Sequence, residues 1–152
     1  MTEEIWRAAS ADDAPAIAAL TSAVYAKWVP VIGRLPLPMQ VDYAEAVLHH
    51  AFTLVERDGA LIGLIETEDC VDHLYIVNVA VAETSQGQGL GRRLVAHAET
   101  LARGLGEVRL MTNALYEANI RLYEFLGYAI YAREPFLNGA RVMMRKRLAD
   151  QG

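Results

Sequence analysis

Cysteine is nearly missing from this chain. Cys70 is the only one in 152 residues, which excludes an intramolecular disulfide and a thiolate metal cluster and implies a reducing cytoplasm. Long apolar runs are missing too: none approaches the ~18–20 residues of a membrane span. The acidic start Met1-Thr2-Glu3-Glu4 stands where the basic region of a signal peptide belongs. Positive charge is short. The formal net charge is −5, whereas nucleic-acid binders usually carry a basic face; the balance is compatible with a cationic amine substrate. No repeat, low-complexity tract or linker interrupts residues 1–152, so one domain is expected, long enough for a substantial core. His49-His50 makes a poor chelate because helical neighbours diverge by ~100°. Neither a metal, a membrane nor a nucleic acid is therefore expected as a partner.

What is present reads as a mixture of strands and helices. Ile5–Ala9 is a short first strand. Ser10, Asp12 and Asp13 supply an N-cap and first-turn acids for a helix over Ala11–Lys27, with Pro15 early in it. Ile17, Leu20, Val24 and Trp28 form its apolar face. Pro30, Gly33, Pro36 and Pro38 punctuate Val29–Met39, which is expected to be an ordered loop, followed by a helix at Val41–Ala51. Trp28, Leu35, Met39 and Tyr43 either line a substrate cavity or plug the core. Phe52–Glu56 and Ala60–Glu66 flank Arg57-Asp58-Gly59, a hairpin signal. A turn around Glu68–Asp72 leads into the next strand. Three consecutive antiparallel strands separate this order from doubly wound folds, which alternate strand and helix.

The rest is organised around residues 76–95. Ile76–Ala82 is β-branched and apolar, a buried strand. From Leu90 to Arg103 the spacing predicts a helix ending near Gly104 and Gly106. Between them stand Gly87, Gly89 and Gly91. A strand, a glycine-rich turn and a helix start make an anion site, because free N–H groups and the positive helix end converge where glycine admits a phosphate. A P-loop would need Lys then Ser/Thr after the last glycine, and Arg92 and Arg93 stand there. The dinucleotide pattern G-x-G-x-x-G fails as well, with Arg92 or Leu94 at its last place. Q-x-x-G-x-G fits, as Gln86-Gly87-Gln88-Gly89-Leu90-Gly91.

Glu107–Thr112 is the next strand, parallel to the preceding one because a helix intervenes. Ile120, Tyr123 and Leu126 then share a helical face that Gly127 ends. Tyr128–Arg133 and Arg141–Arg147 close the chain, joined by a loop with Pro135 and Asn138-Gly139. Asn119-x-x-x-Tyr123-x-x-x-Gly127-Tyr128 lies about 30 residues beyond the glycine loop.

The two motifs, in this order, resemble those of the GNAT superfamily of N-acetyltransferases, from the first strand to Arg147. The resemblance implies an α/β (α+β) fold, a central mixed, mostly antiparallel sheet of about six or seven strands with flanking helices, splayed at its two middle strands. It implies acetyl-CoA as co-substrate, with the backbone of Val79, Ala80 and Val81 pairing with the pantetheine arm. Gln86, Gly87, Gln88, Gly89, Leu90, Gly91 and Arg92 would bind the pyrophosphate, Asn119 would contact CoA, and Tyr123 would reach the sulfur as general acid. The Val79 amide would be the oxyanion donor. Many relatives carry Asn seven residues before the Tyr; Tyr116 holds that place here. Homodimers are common in the family.

Amine attack on a thioester needs a neutral amine, an oxyanion site and a proton for the leaving thiolate. A lysine-like amine of pKa ~10.4 is neutral about once in 2,500 at pH 7, a cost of roughly 4–5 kcal/mol. A thiol of pKa ~8.5 leaves with modest help, which a phenol of pKa ~10 can give. Some relatives place Glu before Asn78, where Val77 stands, so the base is open among Tyr75, Glu66, His73 and water. Cys70 lies outside both motifs, so direct transfer to a primary amine of a small molecule or peptide is expected. The other readings are a non-catalytic acyl-CoA sensor or interaction module and a plain nucleotide-binding domain.

Overall fold

The computed structural model describes residues 3–102 and 104–149. Its strands are β1 (Glu4–Ala8), β2 (Ala51–Arg57), β3 (Ala60–Asp69), β4 (Leu74–Val81), β5 (Glu107–Asn113), β6 (Ala129–Phe136) and β7 (Gly139–Arg147). They form one sheet in the order β1-β2-β3-β4-β5-β7-β6. All neighbours are antiparallel except β4 and β5, which run parallel. The mixed, mostly antiparallel sheet expected from the sequence is present.

Helices cover both faces. α1 (Ala14–Tyr25) and α3 (Tyr43–His49) meet Leu54, Leu64 and Ala80 through Ile17 and Tyr43. α4 (Leu90–Leu101) lays Leu94, Val95 and Ala98 on Val55, Ile65 and Val108 on the other face, and α5 (Glu117–Phe125) adds Ile120 and Tyr123. Strand alternation divides the residues: Leu64 goes to one core and Ile65 to the other. Gly63 lets α4 come close, since a Cβ there would lie 2.9 Å from Leu90 Cδ2. The expected helix end at Arg103, and the chain's extreme residues, lie outside the described residues.

A bulge in β4 decides where the site forms. Glu66 pairs with Asn78 but Thr67 pairs with Ile76, leaving Val77 as the extra residue. Leu74 and Ile76 therefore face the α4 core, while Asn78 and Ala80 face α1. Pairing with β5 stops at the same place: Leu74, Tyr75 and Ile76 match Val108, Arg109 and Leu110, and no further rung follows. The two central strands thus separate beyond Ile76.

Several boundaries differ from expectation. Val29–Met39 is not a plain loop: it holds a short helix, α2 (Val29–Ile32), and a 3-10 turn at Leu37–Gln40. Pro30 and Pro38 sit in the first turns of these elements, where a missing N–H costs nothing, and Gly33 ends α2 at φ 72°. α3 is shorter than predicted because Asp42 caps it at one end and His50 turns extended at the other. β3 continues past Glu66 to Asp69, and β6 and β7 meet in a two-residue turn at Leu137-Asn138 rather than a long loop. Pro135 is tolerated because β6 is a sheet edge. The helical run Ala11–Ile32 has the length and hydropathy of a span (22 residues, mean 1.3). Ile17 and Thr21 within it are fully buried in the domain, and Tyr25 bonds to β4.

Candidate active site

The separation of β4 from β5 opens a cavity of about 700 Å³. At one end lies the glycine loop. Gly87 (φ 78°) and Gly89 (φ 81°) take left-handed backbone that other residues resist, and a Cβ at either would meet nothing within 4 Å. Gly89 is the N-cap of α4. Among the described residues, no carbonyl accepts from the amides of residues 87–92. Those amides and the helix end form an anion cradle. Gln86 braces it by donating from Nε2 to the Val81 carbonyl at 3.0 Å. The two arginines diverge: Arg92 lies 5.3 Å over the Phe125 ring at the cavity wall, while Arg93 is bound bidentately by Glu4 at 2.6 and 2.8 Å.

The residues assigned to CoA and to the oxyanion all line this cavity except Ala80 and Gln88. Ala80 points the other way, into the α1 core, because side chains alternate along β4. Gln88 is exposed at the loop tip. Asn119 and Tyr123 reach the cavity from α5. The Tyr123 ring packs edge-on to Tyr128 at 5.9 Å, and burial pushes its hydroxyl up to about 12. Tyr123 thus holds its proton throughout the neutral range. Tyr116, in the place where relatives carry Asn, is buried and stacks 4.3 Å from Trp28.

At the other end the polar groups are side chains. Glu66 is 2% exposed, yet it lines the cavity. His50 Nδ1 donates to its Oε2 at 2.6 Å, and His50 Nε2 lies 3.6 Å from Glu68. Burial raises the Glu66 carboxyl above its usual range, and the His50 hydrogen bond opposes that rise. Asn78 is held by the Tyr25 hydroxyl at 2.9 Å and reaches Thr21 at 3.5 Å. Burial also raises Tyr25, with Tyr123, Tyr116, Tyr43 and Glu66 nearby, and pushes Tyr43 up to about 12. Of the base candidates, Glu66 and Tyr75 reach the cavity; His73 does not, being bonded to Asp72 at 2.7 Å near the start of β4. Burial raises Tyr75, which suits a proton holder better than a base. Trp28 and Tyr43 line the cavity as one reading had it, but Leu37 and Pro38 stand where Leu35 and Met39 were named.

The sequence reading considered His50 only as half of a chelate. Counting back from the Asp58-Gly59 turn pairs Ala51 with Glu66, one residue off the observed Ala51–Thr67 pairing, so the turn alone does not set His50 on the Glu66 face. Tyr25 carried no signal either. Among the described residues, no cluster of three metal-ligating side chains occurs.

A glycine loop and helix start facing a gap between parallel strands define a GNAT-type fold. The acetyltransferase (GNAT) family model matches residues 17–128, and the chain belongs to that family. It is 39% identical over 84 residues to the mycothiol acetyltransferase of Thermomonospora curvata, covering 52% of this chain and 28% of that protein. The Streptomyces avermitilis counterpart is 34% identical over 88 residues, 53% and 27% of the two chains. The chain thus spans less than a third of the length of these curated relatives. Among solved structures, the PaiA N-acetyltransferase of Thermoplasma acidophilum in complex with coenzyme A superposes with TM-score 0.81 at 15% identity, over 96% of this chain and 99% of that one. The ribosomal-protein-S18-alanine N-acetyltransferase of Escherichia coli gives 0.77 at 21%, over 99% and 97%. At these identities the likeness is one of fold.

Proposed function

We propose that this chain is a single acetyltransferase domain that moves the acetyl group of acetyl-CoA directly to a primary amine. One observation carries the reading: the unpartnered amides of Gly87 and of residues 89–92 open onto the same cavity as Tyr123 and Glu66. The loop and Arg92 would hold the pyrophosphate. The unpaired edge of β4 from Val77 to Val81 has the extended form to pair with an amide-bearing arm, which suits Val79 and Val81. The Val79 N–H would donate to the developing oxyanion, and Asn119, whose side chain has no partner among the described hydrogen bonds, would contact CoA.

Glu66 would take a proton from the incoming ammonium, burial raising its carboxyl toward the range of that task and the His50 hydrogen bond opposing the rise. Tyr123, protonated throughout, would hydrogen-bond the departing sulfur. Full proton transfer from a phenol pushed up to about 12 to a thiolate of pKa ~8.5 is uphill. The second proton lost by nitrogen therefore travels with, or through, the phenol as the C–S bond breaks. Cys70 does not line the cavity, so no acyl-cysteine intermediate is invoked.

Calorimetric titration with acetyl-CoA, followed by thiol release over an amine panel, tests the reading. Binding with turnover is expected. Binding without turnover on any amine would favour the sensor alternative, and absence of binding would end both.

A further inference from the structure

Two features of the cavity narrow the acceptor, on the reading that it is a transferase site. The first is its charge. Glu66 is the only acidic side chain among its described lining residues, against Lys27, Arg34, Arg92 and Arg141. Its Oε2 is bound by His50, whereas Oε1 has no partner among the described hydrogen bonds. Among the described residues, no buried side-chain oxygen or nitrogen lacks a partner; Oε1 is therefore not sealed off, and Glu66 lines the cavity. One anionic oxygen is on offer to one ammonium. A second cation on the acceptor would meet only basic groups.

The second feature is the wall. Trp28, Leu37, Val41, Tyr43, Tyr116 and Phe136 line the same cavity as Glu66. Trp28 and Tyr116 are stacked on each other, and Tyr43 gives its hydroxyl to the Pro38 carbonyl at 2.7 Å. The Tyr43 hydroxyl is thereby occupied, and a large apolar area is available to the body of the acceptor.

The geometry points to an acceptor that is an apolar monoamine: one primary ammonium seated on Glu66 Oε1, carried by an aromatic or branched hydrocarbon body against the Trp28–Tyr116 wall. Glu66 removes one proton from the ammonium and passes it to solvent. The nitrogen lone pair forms the C–N bond at the acetyl carbonyl, the C–S bond breaks, and the second nitrogen proton leaves with the thiolate. The balance is one ammonium and acetyl-CoA giving one acetamide, CoA thiol and one proton.

The experiment is kcat/KM for ethylamine, 2-phenylethylamine and spermidine with acetyl-CoA. The phenyl ring is expected to raise kcat/KM at least tenfold over ethylamine, and 2-phenylethylamine to exceed spermidine by at least tenfold. In Glu66→Gln the KM for 2-phenylethylamine should rise at least tenfold with the KM for acetyl-CoA little changed. No gain from the ring, a preference for spermidine, or an unchanged amine KM in that variant would each overturn the assignment. If Glu66→Gln fails to fold, the wild-type ranking decides alone. Calorimetry with acetyl-CoA keeps the two levels apart. Binding with the wrong amine ranking sinks only the acceptor class, while no binding sinks the transferase reading with it.

Discussion

At the loop end of the cavity the polar groups are backbone amides, all contributed by one stretch of chain that runs from β4 into α4. At the Glu66 end they are side chains brought from α1, α3, β3 and β4, with an apolar wall added by Trp28, Leu37 and Val41 on either side of α2, by Tyr116 and by Phe136 of β6. The first end depends on backbone conformation and tolerates side-chain change wherever φ allows. The second depends on packing, so each of its groups is individually replaceable and individually costly. A donor common to a whole class of reactions can be held by backbone. An acceptor particular to one enzyme needs side chains.

Four measurements would break or sharpen this contrast. Tyr123→Phe should give the largest effect, a fall in kcat of roughly 10²–10⁴ with acetyl-CoA affinity little changed. The loss should shrink toward high pH, where the thiolate departs unaided. A melting temperature falling in step with the rate would return Tyr123 to the core. Gly89→Glu should come next. At a hundredfold excess over Kd, acetyl-CoA stabilises by about 2.7 kcal/mol, and a side chain at φ 81° with negative charge should abolish that thermal shift. An intact shift would move the pyrophosphate elsewhere.

The third concerns pH. Glu66 works as the carboxylate, and burial raises its pKa, so kcat/KM should fall as pH drops through a value above the ordinary carboxylate range. His50, Glu68, Tyr25 and Tyr43 are the titratable groups that face it. Glu66→Gln should flatten that acid limb; a limb that survives belongs to another group. Smallest of all, Gln88→Ala at the exposed loop tip should leave acetyl-CoA Kd within about twofold, since surface changes away from packing contribute under ~0.5 kcal/mol. A larger loss would mean that a side chain, not the backbone, carries affinity there.

The same contrast explains what could be read from sequence. The loop end is local: strand, glycines and helix start are consecutive, so Gln86–Arg92 announced an anion site before any fold was known. The hairpin at Asp58-Gly59 and the parallel β4–β5 connection followed from equally local signals. Tyr123 came from a motif, and it lines the cavity. The Glu66–His50 contact is different. It depends on hairpin register, and the bulge between Val55 and Glu56 shifts that register by one residue. Tyr25 on Asn78 joins residues 53 apart. Ala80 keeps its side chain out of the cavity because a motif names consecutive residues, while a strand sends their side chains to alternate faces. Proline misled in Val29–Met39, where it occupies first turns rather than breaking structure.

The parallel joint between β4 and β5 is only three rungs long, Leu74–Ile76 against Val108–Leu110. Mechanically, the sheet is two panels on a short hinge line, one of four strands and one of three. Each panel has its own continuous antiparallel ladder, and the amides of β5 beyond Leu110 have no β4 partner. Such panels open as separate cooperative units. A molecule lying along the gap would act as a stitch between them. Deuterium uptake in β5 and β7 should therefore slow when acetyl-CoA is added, although the glycine loop is on the other panel. The depth of that slowing would measure how far one half of the sheet learns of ligand held by the other.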